Sequence, residues 1–167
     1  MRLLEVGRLA DLSVNAVVAE AGVAKGTFYV HFPTRDDYMV ALHEAFHTVL
    51  LDAIDAAAGG VRGGLERIKA GAVAYLDLCL KEKAMKALLL DARAEPAIRA
   101  QIRATSASFS KRFSGEFGAA GWPYPVAATR LFIAMVTETA LYELEHGGAS
   151  EDVRHSLWQF LEKGSTP

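Results

Sequence analysis

The chain has 167 residues, of which 51% are apolar and 23% charged, with a formal net charge of -2. This balance excludes a disordered tail and a protein that holds nucleic acid through a bulk positive field. The longest run free of Asp, Glu, Lys and Arg, Phe117 to Thr129, contains Gly118, Gly121, Pro123 and Pro125 and cannot span a membrane.

The opening Met1-Arg2-Leu3-Leu4-Glu5 reaches a charge too early for a secretory signal, so a cytoplasmic protein is expected. Leu3, Leu4 and Val6 read as the last turn of a shortened first helix, and Leu9 and Leu12 as its connector. The segment from Ser13 to Phe32 then reads as two short helices joined by a tight turn. Ser13 can cap the first, whose inner side carries Val14, Val17 and Val18. Gly22 supplies the left-handed residue of the turn, and Val23 fills the corner. In the second helix, about Ala24 to Phe32, Phe28 and Phe32 stand four apart as anchors, which leaves Lys25, Thr27, Tyr29 and His31 for the remaining surface. Those side chains are donors suited to phosphate oxygens and base edges in a major groove. Gly26 costs such a helix about 1 kcal/mol relative to alanine, a sacrifice that close approach of another molecule would explain.

Thr34, Asp36 and Asp37 mark the start of a long helix from about Arg35 to Ala58, ended by Gly59-Gly60. Within it His43 and His47 lie one turn apart, a spacing that can present two nitrogens to a metal, but no third ligand is near and ordinary packing is the expectation. Apolar spacing predicts helices from Gly63-Gly64 to about Lys81 and from Lys83 to Ala94. The single cysteine, Cys79, sits between Leu78 and Leu80 and is expected to be buried; alone, it forms no internal disulfide and no zinc cluster. Pro96 opens a further helix to about Gly118.

After the break at Gly121-Trp122-Pro123-Tyr124-Pro125, residues from Val126 to Glu145 are apolar on nearly every side, which predicts a helix that meets two neighbours. Arg130 and Glu138 interrupt it, and each needs a partner, a ligand or a dimer surface. Ser150-Glu151-Asp152 opens the last helix, with Val153, Leu157 and Leu161 in register and Gly164 to Pro167 as a loose tail. Two such apolar helices near the C-terminus predict a homodimer through them. The fold class expected is all-α.

The segment Ser13 to Phe32 resembles the DNA-binding region of TetR-family transcriptional regulators, with its capping serine, Ala-Gly-Val turn and a helix ending Gly-Thr-x-Tyr-x-His-Phe. The resemblance implies a helix-turn-helix head over 1–47 and a helical effector-binding and dimerisation domain over 48–167. It implies DNA contacts by Lys25, Gly26, Thr27, Tyr29, His31 and Arg35, on a double-stranded operator of palindromic form. Two departures stand out. Ala24 replaces the family's serine and removes a capping hydroxyl, and only twelve residues precede Ser13, where the family has a longer first helix. Residues 1–47 also hold four Lys or Arg against six Asp or Glu, a deficit that a missing basic arm would explain.

An effector, unidentified and partly apolar, is expected among the middle helices, where Tyr75, Cys79, Met85, Phe109, Phe113, Met135, Glu138, Thr139 and Tyr142 offer apolar walls with scattered polar groups. No cofactor or metal is expected. No Gly-x-Ser-x-Gly elbow or phosphate-cradling loop is present, so an enzyme is not expected either. Two readings stay open: a ligand-responsive repressor, and a helical ligand-binding or scaffold dimer of the same fold that has lost DNA binding.

Overall fold

The computed structural model describes residues 13–91 and 94–164. The expectations for Leu3, Leu4, Val6, Leu9 and Leu12, and for the tail from Ser165 to Pro167, lie outside the described residues, while Gly164, expected to open that tail, is the last residue of a helix instead. Among those described, eight helices and no strand are found: α1 Val14–Ala21, α2 Lys25–His31, α3 Arg35–Ala58, α4 Leu65–Lys81, α5 Lys83–Asp91, α6 Pro96–Ala119, α7 Pro125–Glu145 and α8 Glu151–Gly164. The all-α expectation holds. None of these helices is long and apolar enough to cross a membrane.

By packing, the chain divides into two units, the first holding residues up to Thr48 with Glu82–Ile102, the second Val49–Lys81 with Arg103 onward. The division at 47/48 follows chain order; the packing unit adds α5 and the start of α6 to the head.

In the head unit, Met39 and Ile98 form a fully covered pair surrounded by Val17, Tyr38, Val40, Leu42, Met85 and Ile102. Start signals in the sequence act locally here. Thr34 and Asp37 cap α3 reciprocally, with the Thr34 N–H donating to Asp37 Oδ2 at 2.9 Å and the Asp37 N–H to Thr34 Oγ1 at 3.1 Å. Two imidazoles lie inside this unit. His43 is only 4% exposed, neither of its ring nitrogens has a hydrogen-bond partner among the described residues, and its ring centroid is 4.3 Å from that of His47. Burial, and then the buried Lys86 ammonium, lower the His43 pKa from 6.5 to about 4. Burial, then His43 and Lys86, lower that of His47 to about 3. The two histidine rings pack against each other beside Lys86, with Phe46 in edge contact with His47.

In the second unit α7 packs on both α4 and α8, which meets the two-neighbour expectation. Its inward side buries Ala128, Phe132, Val136 and Ala140, with Leu50, Leu76, Phe117, Leu157 and Leu161 among the other covered side chains of the unit. Cys79 is completely covered. Two neighbours do not enclose α7. Val126, Leu131 and Tyr142 remain exposed, because helical periodicity reports which residues are apolar but not how many surfaces come to meet them.

The costly charge on α7 is one the sequence reading passed over. Glu143 is 0% exposed and accepts from Arg154 Nε at 2.6 Å, Arg154 Nη2 at 2.9 Å and the Ser150 N–H at 3.0 Å, while Arg154 Nη1 reaches Asp77 at 2.9 Å. Burial by itself would raise the Glu143 pKa, but the Arg154 and Ser150 hydrogen bonds outweigh it and hold the carboxyl below its ordinary value. Its contribution is therefore present above the ordinary carboxylate range and is lost as pH falls through the depressed folded value.

Glu143→Ala leaves Arg154 without its buried partner and is expected to lower unfolding free energy by about 3 kcal/mol or more in urea titration. For the histidines the sign is reversed relative to a salt-bridged imidazole. Above pH 6.5 both states are neutral and nothing is lost; below it the unfolded chain takes protons that the folded head refuses. Stability should fall by about 3–4 kcal/mol between pH 7 and 5, about half of it from each histidine, and His43→Leu should roughly halve that slope without lowering stability at pH 7. An unchanged slope in the variant would show that the loss arises elsewhere.

Candidate nucleic-acid interface

The interface is built on α1 and α2. Ser13 caps α1 by accepting from the Ala16 N–H at 3.1 Å. At the other end Gly22 adopts φ 67°, ψ 28°, and the Val23 N–H donates back to the Val18 carbonyl at 3.0 Å, the paired closure of a left-handed helix cap. This turns the chain into α2. The start of α2 has no side-chain cap because Ala24 has no hydroxyl; the Thr27 N–H donates to the Ala24 carbonyl at 2.9 Å instead.

A seven-residue helix cannot hold itself. Phe28 holds α2 from one side: it is buried, with ring centroids 5.4 Å from Phe32, 5.5 Å from Tyr38 and 5.4 Å from Tyr29. With Phe28 turned inward, Lys25, Gly26, Thr27, Tyr29 and His31 are all exposed, and Arg35 at the start of α3 is half-buried. The six residues predicted for DNA thus occupy α2 and the first position of the next helix, five of them open to solvent. A Cβ built on Gly26 would meet nothing within 4 Å, so no contact inside the described protein requires a glycine there.

Sequence reasoning missed Val30, the most open large apolar side chain on α2 at 80% exposure. It lies four residues after Gly26 and three after Thr27, hence on the same face. The signal was available, since an apolar residue out of register with Phe28 and Phe32 must point away from them. A valine there suits the methyl group of a thymine.

Of the nine residues expected around an effector, the structure buries Cys79 and Thr139, whose hydroxyl donates to the Met135 carbonyl at 2.9 Å. Tyr75, Phe109, Phe113 and Met135 are half-buried, and the Phe109 and Phe113 rings stand 5.4 Å apart on α6. Glu138 and Tyr142 are exposed, and Tyr142 stacks on His146 at 3.9 Å. Met85 packs in the head unit against Met39 and Ile98. An open hollow formed by Pro123, Tyr124, Pro125, Val126, Ala127 and Arg130 includes none of these nine.

A capped helix, a left-handed glycine turn and a second helix turned outward on an aromatic anchor, followed by a long helix, constitute a helix-turn-helix of the kind carried by bacterial transcription regulators. Residues 1–42 match the family model for bacterial regulatory proteins of the tetR family. The structure is similar to that of a protein from Rhodococcus sp. assigned to the TetR family of transcriptional regulators, with a TM-score of 0.78, 18% identity, and 95% of this chain and 89% of that one covered. It is also similar to a TetR transcriptional regulator from Legionella pneumophila, with a TM-score of 0.72, 15% identity, and 97% and 94% covered. No curated protein matches the sequence. Residues 1–42 are thus similar to the tetR-family model, and the chain has the fold of these TetR-family structures.

Gly26 offers a test that separates stability from recognition. Gly26→Ala should raise thermal stability, by up to about 1 kcal/mol, because alanine favours helix and meets no neighbour. If the open backbone serves a ligand surface, the same variant should bind DNA more weakly; an equal or tighter complex would remove the close-approach explanation.

Proposed function

We propose that the protein is a ligand-responsive DNA-binding transcription regulator, a cytoplasmic repressor released from a palindromic operator by a small molecule. The observation that carries this reading is the outward face of α2, where an ammonium, a hydroxyl, a phenol and an imidazole surround a glycine that no internal contact requires. Lys25 and Arg35 would take phosphate oxygens; Thr27, Tyr29 and His31 would reach base edges or phosphates; Gly26 would admit the backbone of the duplex. Residues 1–47 act as the DNA-binding part and 48–167 as the effector-binding and dimerising part. The homodimer forms through α7 and α8 and sets two copies of α2 about 34 Å apart, one turn of the double helix.

The effector would be partly apolar and would contact Tyr75, Cys79, Phe109, Phe113, Met135 and Thr139, which combine ring and aliphatic surface with two hydroxyls and a thiol. The reading involves no catalytic step. A competing reading, a helical ligand-binding dimer without DNA activity, draws on the six acidic residues against four basic ones in 1–47.

The experiment is a fluorescence-anisotropy titration of the DNA upstream of the protein's own coding sequence, at several salt concentrations. Binding that depends on an inverted repeat and weakens steeply with salt is expected. Lys25→Ala should weaken binding across sequences and reduce the salt slope by about 1, while Tyr29→Ala should weaken it without altering the dimer seen by sedimentation. Retention of full affinity by both variants would take α2 out of the interface, and absence of any sequence-dependent binding would favour the competing reading.

A further inference from the structure

The outer face of α7 has a pattern that the dimer reading leaves unspecified. Val126, Ala127, Arg130, Leu131, Ala134, Glu138 and Tyr142 are all exposed, with Leu131 at 67% and Val126 at 58%. They recur at three- and four-residue spacing and form one stripe along the helix. Neither Arg130 nor Glu138 has an ion-pair partner among the described residues. A surface apolar at its middle and ends, with one cation and one anion between, is poorly matched to water alone.

Arg130 and Glu138 stand four residues to either side of Ala134, and Val126 and Tyr142 stand eight to either side. This symmetry gives the pattern its meaning. If two copies of α7 cross antiparallel at Ala134 about a twofold axis, Arg130 of one copy comes to the level of the partner's Glu138, and the pair is repeated by symmetry. Val126 comes to the level of the partner's Tyr142. Val126 and Arg130 both border the open hollow at the start of α7, which leaves room there for an aromatic ring. A parallel crossing would set Arg130 against the partner's Arg130 and Glu138 against the partner's Glu138, placing like charges together. The methyl of Ala134 is small enough to let the two helices approach closely at the crossing.

We infer that a second copy of this chain docks on the outer face of α7 in an antiparallel register centred on Ala134, with Arg130 and the partner's Glu138 as reciprocal ion pairs. The inference rests on the dimer reading above and fixes its register. The sequence asked for a partner for these two charges, and each copy supplies the other's.

Two sets of variants test it in the full-length protein. Ala134→Cys puts a thiol on the axis, while the native Cys79 is completely covered. Mild oxidation should convert the variant to a disulfide-linked dimer, as seen on a non-reducing gel, and leave the parent protein unlinked. In sedimentation equilibrium, Arg130→Glu and Glu138→Arg should each raise the dimer dissociation constant by at least about tenfold, and the double exchange should recover most of that loss. All three positions are exposed, so circular dichroism should show the folded helix content of the parent in every variant. A stable dimer in which Ala134→Cys does not cross-link, or in which the double exchange is no better than the single ones, overturns the register and leaves the dimer reading standing. A chain that stays monomeric at every concentration overturns both.

Discussion

The candidate recognition surface depends on one buried ring. Helix α2 is seven residues long, contains a glycine and begins without a capping side chain, so its own hydrogen bonds cannot keep it folded. Phe28, set among Phe32, Tyr38 and Tyr29, supplies what the short helix lacks, since burial of an aromatic side chain is worth about 2–3 kcal/mol. It also fixes rotation about the helix axis. Because Phe28 faces inward, Gly26, Thr27 and Val30 face outward, and no separate device is needed to aim them. Tyr38 belongs to α3, so the anchor also ties α2 to the reciprocally capped start of the next helix.

The second unit solves a different problem, the placement of charge inside an apolar assembly. Glu143 is buried where α7 packs, and Arg154 of α8 closes on it through two nitrogens. A pair of this kind adds little net stability over an apolar substitute, but a mispacked α8 would strand both charges, so the pair selects one arrangement of the two helices. Elsewhere in the unit Arg67 acts similarly near the surface. Its guanidinium holds Glu116 at 2.8 Å and the Val61 carbonyl, and Glu116 in turn accepts from the Gly64 N–H, which joins the start of α4 to α6.

Features encoded over a few residues were legible in the sequence. Ser13, Gly22, Thr34, Pro96 and the breaks around Gly59 and Pro125 act on their immediate neighbours, and the elements they bound fall where those signals put them; α3 begins at Arg35 and ends at Ala58 as expected. The outward set on α2 was equally local, apart from Val30, whose apolar character hid its position. What could not be read involves partners distant along the chain. Nothing near Met85 indicates that it packs beside Met39 and Ile98, and nothing near Glu143 identifies Arg154 as its partner. Arg130 and Glu138 drew notice because they interrupt an apolar pattern, yet both are exposed, while the covered charge stands among other glutamates at the helix end, where sequence gives it no distinction.

The complete burial of Cys79 has a practical consequence. As the sole thiol of the chain, in the core of the second unit, it can be alkylated only when that unit opens. Its labelling kinetics therefore time the opening of that unit separately from the head. Any molecule that prefers the closed state of that unit would slow the modification, and the retardation would measure its affinity with no reporter added to the protein.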